Sequence, residues 1–422
     1  MMRRILIVFV ATIVGLGLWS ALIVKATLDG WWRQPLAPFG NTEAFARAVI
    51  DKIDASYQGN VAFTLIDNGH VVSEHFASIG ESIDNDSLFQ VASMGKWVTA
   101  FGVMTLVEKG KLDLDEPIST YLTRWQLPPG EFNNNDVTVR RLLSHTAGLT
   151  DGLGYLGFKP GEKIQTIEQA LLAPNATRGP GAKIEVGIQP GTEFKYSGGG
   201  YLILQLLVEE VSGQSFKTYM QQAVFRPLEM SRSTYSRPAD GVLNVALSYN
   251  SDGTPGITYN FTAVSASGLY TTTSDMTKFI QAHLVGATGS ALSPQTLSAM
   301  REPYGYNSGM EIWGLGTILY AANGEGGFAF GHDGKNDPAI NATTRVNPAT
   351  GDGFILLETG NDLLATNLGS EWTFWQTGKI DILTIASAIN GMVKIIIPGW
   401  IVIVLLGLFA GWRMRTQPGK PA

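Results

Sequence analysis

The chain has 422 residues, too many for one ordinary hydrophobic core, so one large two-part domain or two domains are expected and a short peptide or simple bundle is excluded. Apolar residues make up 45% and charged residues 16%, the net charge is −6, and the 49 glycines follow no Gly-X-Y period, which excludes collagen and disorder and implies many tight turns. With no cysteine there is no disulfide scaffold, cysteine zinc site, iron–sulfur cluster or thiol nucleophile, so any nucleophile is an oxygen or an amine.

Arg3 and Arg4 precede an uncharged run of twenty residues, Ile5 to Val24, enough to cross a hydrocarbon layer of about 30 Å as a helix. The run is longer than a secretory apolar core and Val24-Lys25-Ala26 is a poor cleavage site, so residues 1–24 read as an uncleaved anchor in preference to a signal peptide. Residues 25–44 read as a juxtamembrane connector, with Trp31 and Trp32 as interface anchors. Short β-type runs at 61–66 and 70–77 flank Asp67-Asn68-Gly69, a hairpin signal. From Ser93 to about Lys109 the spacing is helical, with Val98, Phe101, Met104 and Leu106 on or near one face, and Gly110 stops the pattern. A short helix is expected at 139–143, before Ser144-His145-Thr146-Ala147-Gly148-Leu149, and the Gly- and Pro-rich stretch 150–195 reads as loops.

Further helices are expected at 201–211, 216–224, 274–284 and 294–300, and strands at 313–320, 328–332, 339–346 and 354–358. Two early strands, a helical middle and four late strands imply an α+β fold. One antiparallel sheet is built from both chain ends, flanked by helices, with an inserted helical subdomain. A connecting helix is placed at 376–394 and a second span at 395–412, interrupted by Pro398-Gly399, flanked by Trp400 and Trp412 and backed by Arg413 and Arg415. Both basic clusters lie at the outer chain ends, which puts both termini, including the tail 413–422, in the cytoplasm and the domain 45–375 across the membrane. Gly407 and Gly411 are spaced as a helix-packing pair, with the two spans of one chain as the simplest partners. Removing residues 1–24 and 395–422 leaves 25 basic and 36 acidic residues, an acidic portion without a basic patch for a nucleic-acid backbone.

Three motifs have chemical content. Ser93-Met94-Gly95-Lys96 is the one Ser-x-x-Lys in the chain, and a Lys three residues on along a helix lies within reach to take the proton of a Ser hydroxyl. At a helix start, Ser93 also sits among free backbone N–H groups that favour a developing negative charge. Tyr196-Ser197-Gly198 supplies a phenol, which acts as a base only where cations such as Lys96 favour the phenolate. Gly331-His332-Asp333-Gly334 ends a strand run, and alternation puts His332 and Gly334 on one face, where the missing side chain lets a substrate approach the backbone. The N–H of Lys335 then points at an oxyanion together with that of Ser93. Taken singly, each motif also fits a bland alternative: a capping Ser with a solvated Lys, a surface Tyr, a His in a turn. The five histidines show no His-x-x-x-His spacing, and neither a metal nor another cofactor is expected.

In order and spacing these motifs resemble the serine β-lactamase and penicillin-binding-protein superfamily, in the branch with class C β-lactamases, D,D-peptidases and related esterases. Gly110 to Ile118 and Leu142 to Leu149 also resemble segments usual there, and the resemblance covers roughly residues 45 to 375. It implies an acyl-enzyme on Ser93, with Lys96 and Tyr196 moving the proton and the amides of Ser93 and Lys335 holding the oxyanion. His332, standing for the family's Lys, is implied beside Tyr196, holding a phenolate or contacting a substrate carboxylate. His145 is read as structural. Gly198 stands where the family has an Asn that contacts the acylamino side chain, which weakens the case for β-lactam hydrolysis. The expected function is a membrane-anchored serine hydrolase of a small-molecule or peptide ester or amide. A D,D-carboxypeptidase or endopeptidase acting on cell-wall peptides is the alternative, and a non-catalytic binding protein that keeps the fold is the alternative of another class.

Overall fold

The structure is a computed structural model that describes residues 2–152, 154–175, 181–239, 244–284 and 291–416; parts of the expected 150–195 loops and of the 413–422 tail lie outside the described residues. Its helices are α1 (Met2–Leu28), α2 (Thr42–Asp54), α3 (Gly95–Glu108), α4 (Val139–Leu143), α5 (Ile167–Leu172), α6 (Gly198–Ser212) and α7 (Phe216–Met220), followed by α8 (Val264–Ser267), α9 (Thr273–Ala282), α10 (Pro294–Ala299), α11 (Leu364–Thr377) and α12 (Ile385–Thr416). The chain forms two units, Leu36–Thr377 and a smaller one made of Met1–Pro35 with Gly378–Ala422.

In the larger unit the main sheet contains β1 (Asn60–Asp67), β2 (His70–Ser78), β5 (Gly305–Asn307), β6 (Met310–Trp313), β7 (Ile318–Ala322), β8 (Phe328–Asn336), β9 (Ile340–Asn347) and β10 (Asp352–Thr359); a separate pair joins β3 (Phe89–Gln90) to β4 (Tyr270–Thr271). The strand order is β2-β1-β10-β9-β8-β7-β6-β5, so the early hairpin pairs with the last strand, as expected. Strand alternation explains why both faces are covered. Val61, Phe63 and Leu65 of β1 and Phe354 and Leu356 of β10 pack with Phe45, Val49 and Ile53 of α2 and Leu368 and Trp372 of α11. Ala62, Ile66, Ile355 and Leu357 turn the other way, into the larger core with α3, α6 and α9.

Several elements differ from the sequence expectation. The run at 313–320 is two strands, because Gly314 to Thr317 makes a tight turn in which Gly314 N–H donates to Thr317 O at 2.9 Å. α2 occupies part of the expected connector, its Asn41 side chain accepting from Ala44 N–H. α3 is buried on all sides from Gly95 to Leu106, so its expected apolar face has no polar opposite.

Glu358 of β10 is buried beneath the start of α11, where Ala365 N–H donates to its Oε1 at 2.9 Å while Oε2 has no partner. Burial pushes this carboxyl up to about 8, against the pull of the Ala365 and Leu364 amides. The unfolded chain releases the proton near 4.5, so stability falls as pH rises from there towards 8. Glu358→Gln is therefore expected to raise stability at pH 7 by roughly 3 kcal/mol and to flatten the pH dependence of Tm. A lower Tm at that pH contradicts this account.

In the smaller unit, the segments Arg3–Leu28 and Gly391–Met414 are long and apolar enough to cross a membrane. α12 continues through Pro398 instead of breaking there. A Cβ on Gly399 would meet the Trp19 indole, and one on Gly407 would meet Thr12, so the two helices approach closely at both glycines. Gly411 has nothing within 4 Å of that position, so only half of the expected Gly-x-x-x-Gly face is used between α1 and α12.

Candidate active site

The chain leaves β3, turns through Ala92 and enters a 3-10 turn, Ala92–Met94, that leads directly into α3. Ala92 has φ of 46°, a left-handed conformation that costs an L-residue about 1 kcal/mol or more. Ala92 and Met94 are fully buried around it, which holds Ser93 half-exposed at the head of the helix. Lys96 lies one turn on, wholly buried.

Lys96 Nζ donates to Ser93 Oγ at 3.0 Å and to the Ala266 carbonyl of α8 at 2.8 Å. Tyr196, just before α6, donates its hydroxyl to the same Ser93 Oγ at 3.0 Å. Three residues singled out from two separate motifs therefore meet at one oxygen. Burial pulls the Lys96 ammonium down to about 7, with the Asp151 charge opposing. Burial pushes the Tyr196 phenol above its usual range. Burial therefore favours the neutral amine of Lys96 and the protonated phenol of Tyr196.

β8 brings the third motif to the same place. β7 pairs with β8 only between Phe328 and Gly331, so the last residues of β8 run beyond its end. There the strand approaches the 3-10 turn: a Cβ on Gly334 would strike the Val91 carbonyl oxygen and come within 2.9 Å of Met94 N. Only glycine allows this approach. Lys335, one residue on, points its side chain to Asp362 at 3.6 Å.

His332 is buried on the face that Gly334 shares, and its ring packs edge-on against Trp313 at 5.3 Å. Trp313 also contacts the Tyr196 ring, at 5.9 Å. The His332 Nδ1 lies 2.6 Å from the Asp333 carbonyl oxygen, which only accepts, so Nδ1 bears the proton and Nε2 is a bare acceptor. Burial, then the nearby Lys96 charge, pulls this imidazole down to about 3. His332 is thus neutral and offers no cation to a substrate carboxylate. Asp333 faces the opposite side of the strand, where it pairs with the buried Arg345 at 3.3 Å and accepts from Tyr320 and Thr343, both at 2.6 Å.

His145 packs on Tyr196 with ring centroids 4.4 Å apart and tilted by 37°, and it accepts from Ser197 N–H at 3.2 Å. Gly198 opens α6, and a Cβ there would lie 2.8 Å from Gly154 Cα and 3.1 Å from the Tyr155 ring, so no side chain fits at this position. Sequence reasoning missed Asp151, Trp313 and the Ala266 carbonyl. Asp151 follows the Ser-His-Thr-Ala-Gly-Leu run by two residues, but nothing local marks it as facing Lys96; Trp313 gives no signal at all.

A model of the Beta-lactamase family matches residues 46–368. Penicillin-binding protein 4 of Amycolatopsis lactamdurans is 28% identical over 300 residues, 67% of this chain and 74% of that protein. The putative penicillin-binding protein PbpX of Bacillus subtilis is 27% identical over 53% of this chain and 54% of its own, so the chain spans about half the length of that curated relative. Among solved structures, a penicillin-binding protein homologue from Pyrococcus abyssi superposes with a TM-score of 0.63 at 23% identity, covering 78% of this chain and 77% of that one. A β-lactamase/D-alanine carboxypeptidase from Pseudomonas syringae superposes with a TM-score of 0.61 at 17% identity, covering 78% and 97%. The chain belongs to the beta-lactamase family, the serine hydrolase superfamily that includes the penicillin-binding proteins.

Proposed function

We propose that this protein is a membrane-anchored serine hydrolase that cleaves an ester or amide without a carboxylate next to the scissile bond. The observation that carries the reading is the placement of Ser93 Oγ at 3.0 Å from both Lys96 Nζ and Tyr196 OH. In the acylation step neutral Lys96 takes the Ser93 proton as Oγ attacks the carbonyl carbon. The amides of Ser93 and Lys335, brought close by the approach at Gly334, hold the oxyanion. Tyr196 hands a proton to the departing oxygen or nitrogen and is restored from Lys96. Water then attacks the acyl-enzyme by the reverse route and frees Ser93. The two apolar helices and the basic residues at their outer ends support an extracytoplasmic catalytic domain.

The charge of the site supports the substrate class. His332 is neutral, Lys96 is buried beneath the nucleophile, and Lys335 points to Asp362. A carboxylate beside the scissile bond therefore lacks the charged hydrogen bond that compensates its desolvation, a term of about 1.5–3 kcal/mol or roughly ten- to a hundredfold.

A panel assayed on the full chain in detergent tests the reading. p-Nitrophenyl acetate is expected to exceed a D-Ala-D-Ala peptide and a penicillin in kcat/KM by at least about tenfold. The acid limb of the ester profile is expected near pH 7, with activity lost below it as Lys96 gains its proton. Faster D-Ala release, or a stable penicillin adduct without ester turnover, establishes the cell-wall peptidase instead. No turnover and no labelling of Ser93 by a fluorophosphonate leaves a binding protein.

A further inference from the structure

The mechanism above leaves unused a half-buried acid close to Tyr196, Asp151. Asp151 lies in the loop after Leu149, and both of its carboxylate oxygens are engaged by donors at the start of α6. Ser197 Oγ donates to Oδ1 at 2.5 Å, and Gly199 N–H donates to Oδ2 at 2.7 Å. The Ser197 hydroxyl also accepts from Gly200 N–H at 2.8 Å. Desolvation pushes this carboxyl above its ordinary range, while the hydrogen bonds from Ser197 and Gly199, the Lys96 charge and the first turn of the helix favour the carboxylate. The same turn carries Tyr196 one residue before Ser197, and Gly198 N–H closes the contact by donating to Gly152 O at 3.2 Å.

We infer that Asp151 is a positioning residue for acyl transfer: it clamps the Tyr196 turn against the nucleophile and supplies the negative charge that balances Lys96. The inference rests on the hydrolase reading and deepens it. The groups around the Lys96 ammonium are Ser93 from the 3-10 turn, Tyr196 and Tyr201 from the start of α6, His145 after α4 and His332 of β8, with Asp151 from its loop. Burial pulls both imidazoles down and pushes both phenols up, so all four are neutral near pH 7. Asp151 is the acid in this set. Its charge favours the protonated form of Lys96, and together with burial it determines the pH at which the base becomes available.

Asp151→Asn keeps an oxygen acceptor for the α6 amide and removes the charge. In the full chain in detergent, the acid limb of kcat/KM for p-nitrophenyl acetate is expected to move about one pH unit lower, because neutral Lys96 is no longer opposed. Ser197→Ala keeps the charge and removes one tether; kcat is expected to fall about tenfold with the limb unmoved. A D151N profile that superimposes on the wild type, in a protein that still labels at Ser93, overturns the inference and leaves the hydrolase reading standing. Should D151N fail to fold, an unchanged kcat in S197A overturns the clamp. A wild type that neither turns over ester nor labels at Ser93 sinks the hydrolase reading, and this inference falls with it.

Discussion

Replacing Ser93 by alanine is expected to lower kcat for p-nitrophenyl acetate by at least about three orders of magnitude, the scale on which loss of a nucleophile acts in a hydroxyl-based site. Tm is expected to change little. The 3-10 turn is fixed by the buried Ala92 and Met94 and by β3, none of which needs the hydroxyl. Lys96 keeps its bond to the Ala266 carbonyl, and Tyr196 keeps its packing on His145 and Trp313. The measurement is a steady-state assay beside a thermal melt. Retained turnover in S93A removes the acyl-enzyme, whereas lost turnover with a collapsed melt only shows that the turn is needed for folding. Ser93→Thr separates these outcomes, since it keeps an oxygen nucleophile but crowds Lys96 with a methyl group.

The second large effect is expected at a residue with no side chain. Gly334→Ala puts a carbon against the Val91 carbonyl oxygen and Met94 N, both backbone atoms of the segment that carries Ser93. Neither can swing aside as a side-chain end does, so the last residues of β8 must move away from the turn. That separates the amides of Ser93 and Lys335. Loss or misplacement of one oxyanion donor costs about a hundred- to a thousandfold in kcat. The strain of overpacking is about 1–3 kcal/mol, small enough for a unit with this core to remain folded. The expected result is a folded protein with kcat reduced at least about a hundredfold and KM little changed. Wild-type kcat in G334A shows that the approach of the two segments is not part of the site.

The residues that meet at Ser93 were legible from order and spacing, and so was the sheet that pairs an early hairpin with the last strands. What was not legible has physical causes. α11 is almost uncharged and buried along most of its length, so its apolar residues show no period to read. α2 does show one, Phe45, Val49 and Ile53, but the period spans only nine residues just past the expected connector 25–44, too short to stand out there. The charge states were out of reach altogether. A lysine and a histidine are written the same way whether solvated or buried. Only burial among packed elements such as α6 and α8 pulls the Lys96 ammonium down to about 7, and only the Asp333 carbonyl oxygen beside Nδ1 favours one tautomer of His332. Asp151 was invisible for the same reason, since its partners are backbone and hydroxyl groups almost fifty residues away.

The pairing of β1 with β10 has a consequence for biogenesis. Val61 lies opposite Glu358, so the hairpin synthesised first waits for almost three hundred residues before its neighbour in the sheet exists. Contacts of such separation slow folding, because a long loop must close before they form. β1 and β2 are therefore made early and leave the β10-facing edge of β1 unpaired, while the helices between them and the last strands make contacts of shorter separation. The last strands complete the sheet beside that edge. Slow arrival of the C-terminal third prolongs the period in which the β1 edge is open to other pairing, so the yield of folded protein is expected to depend on that interval as well as on final stability.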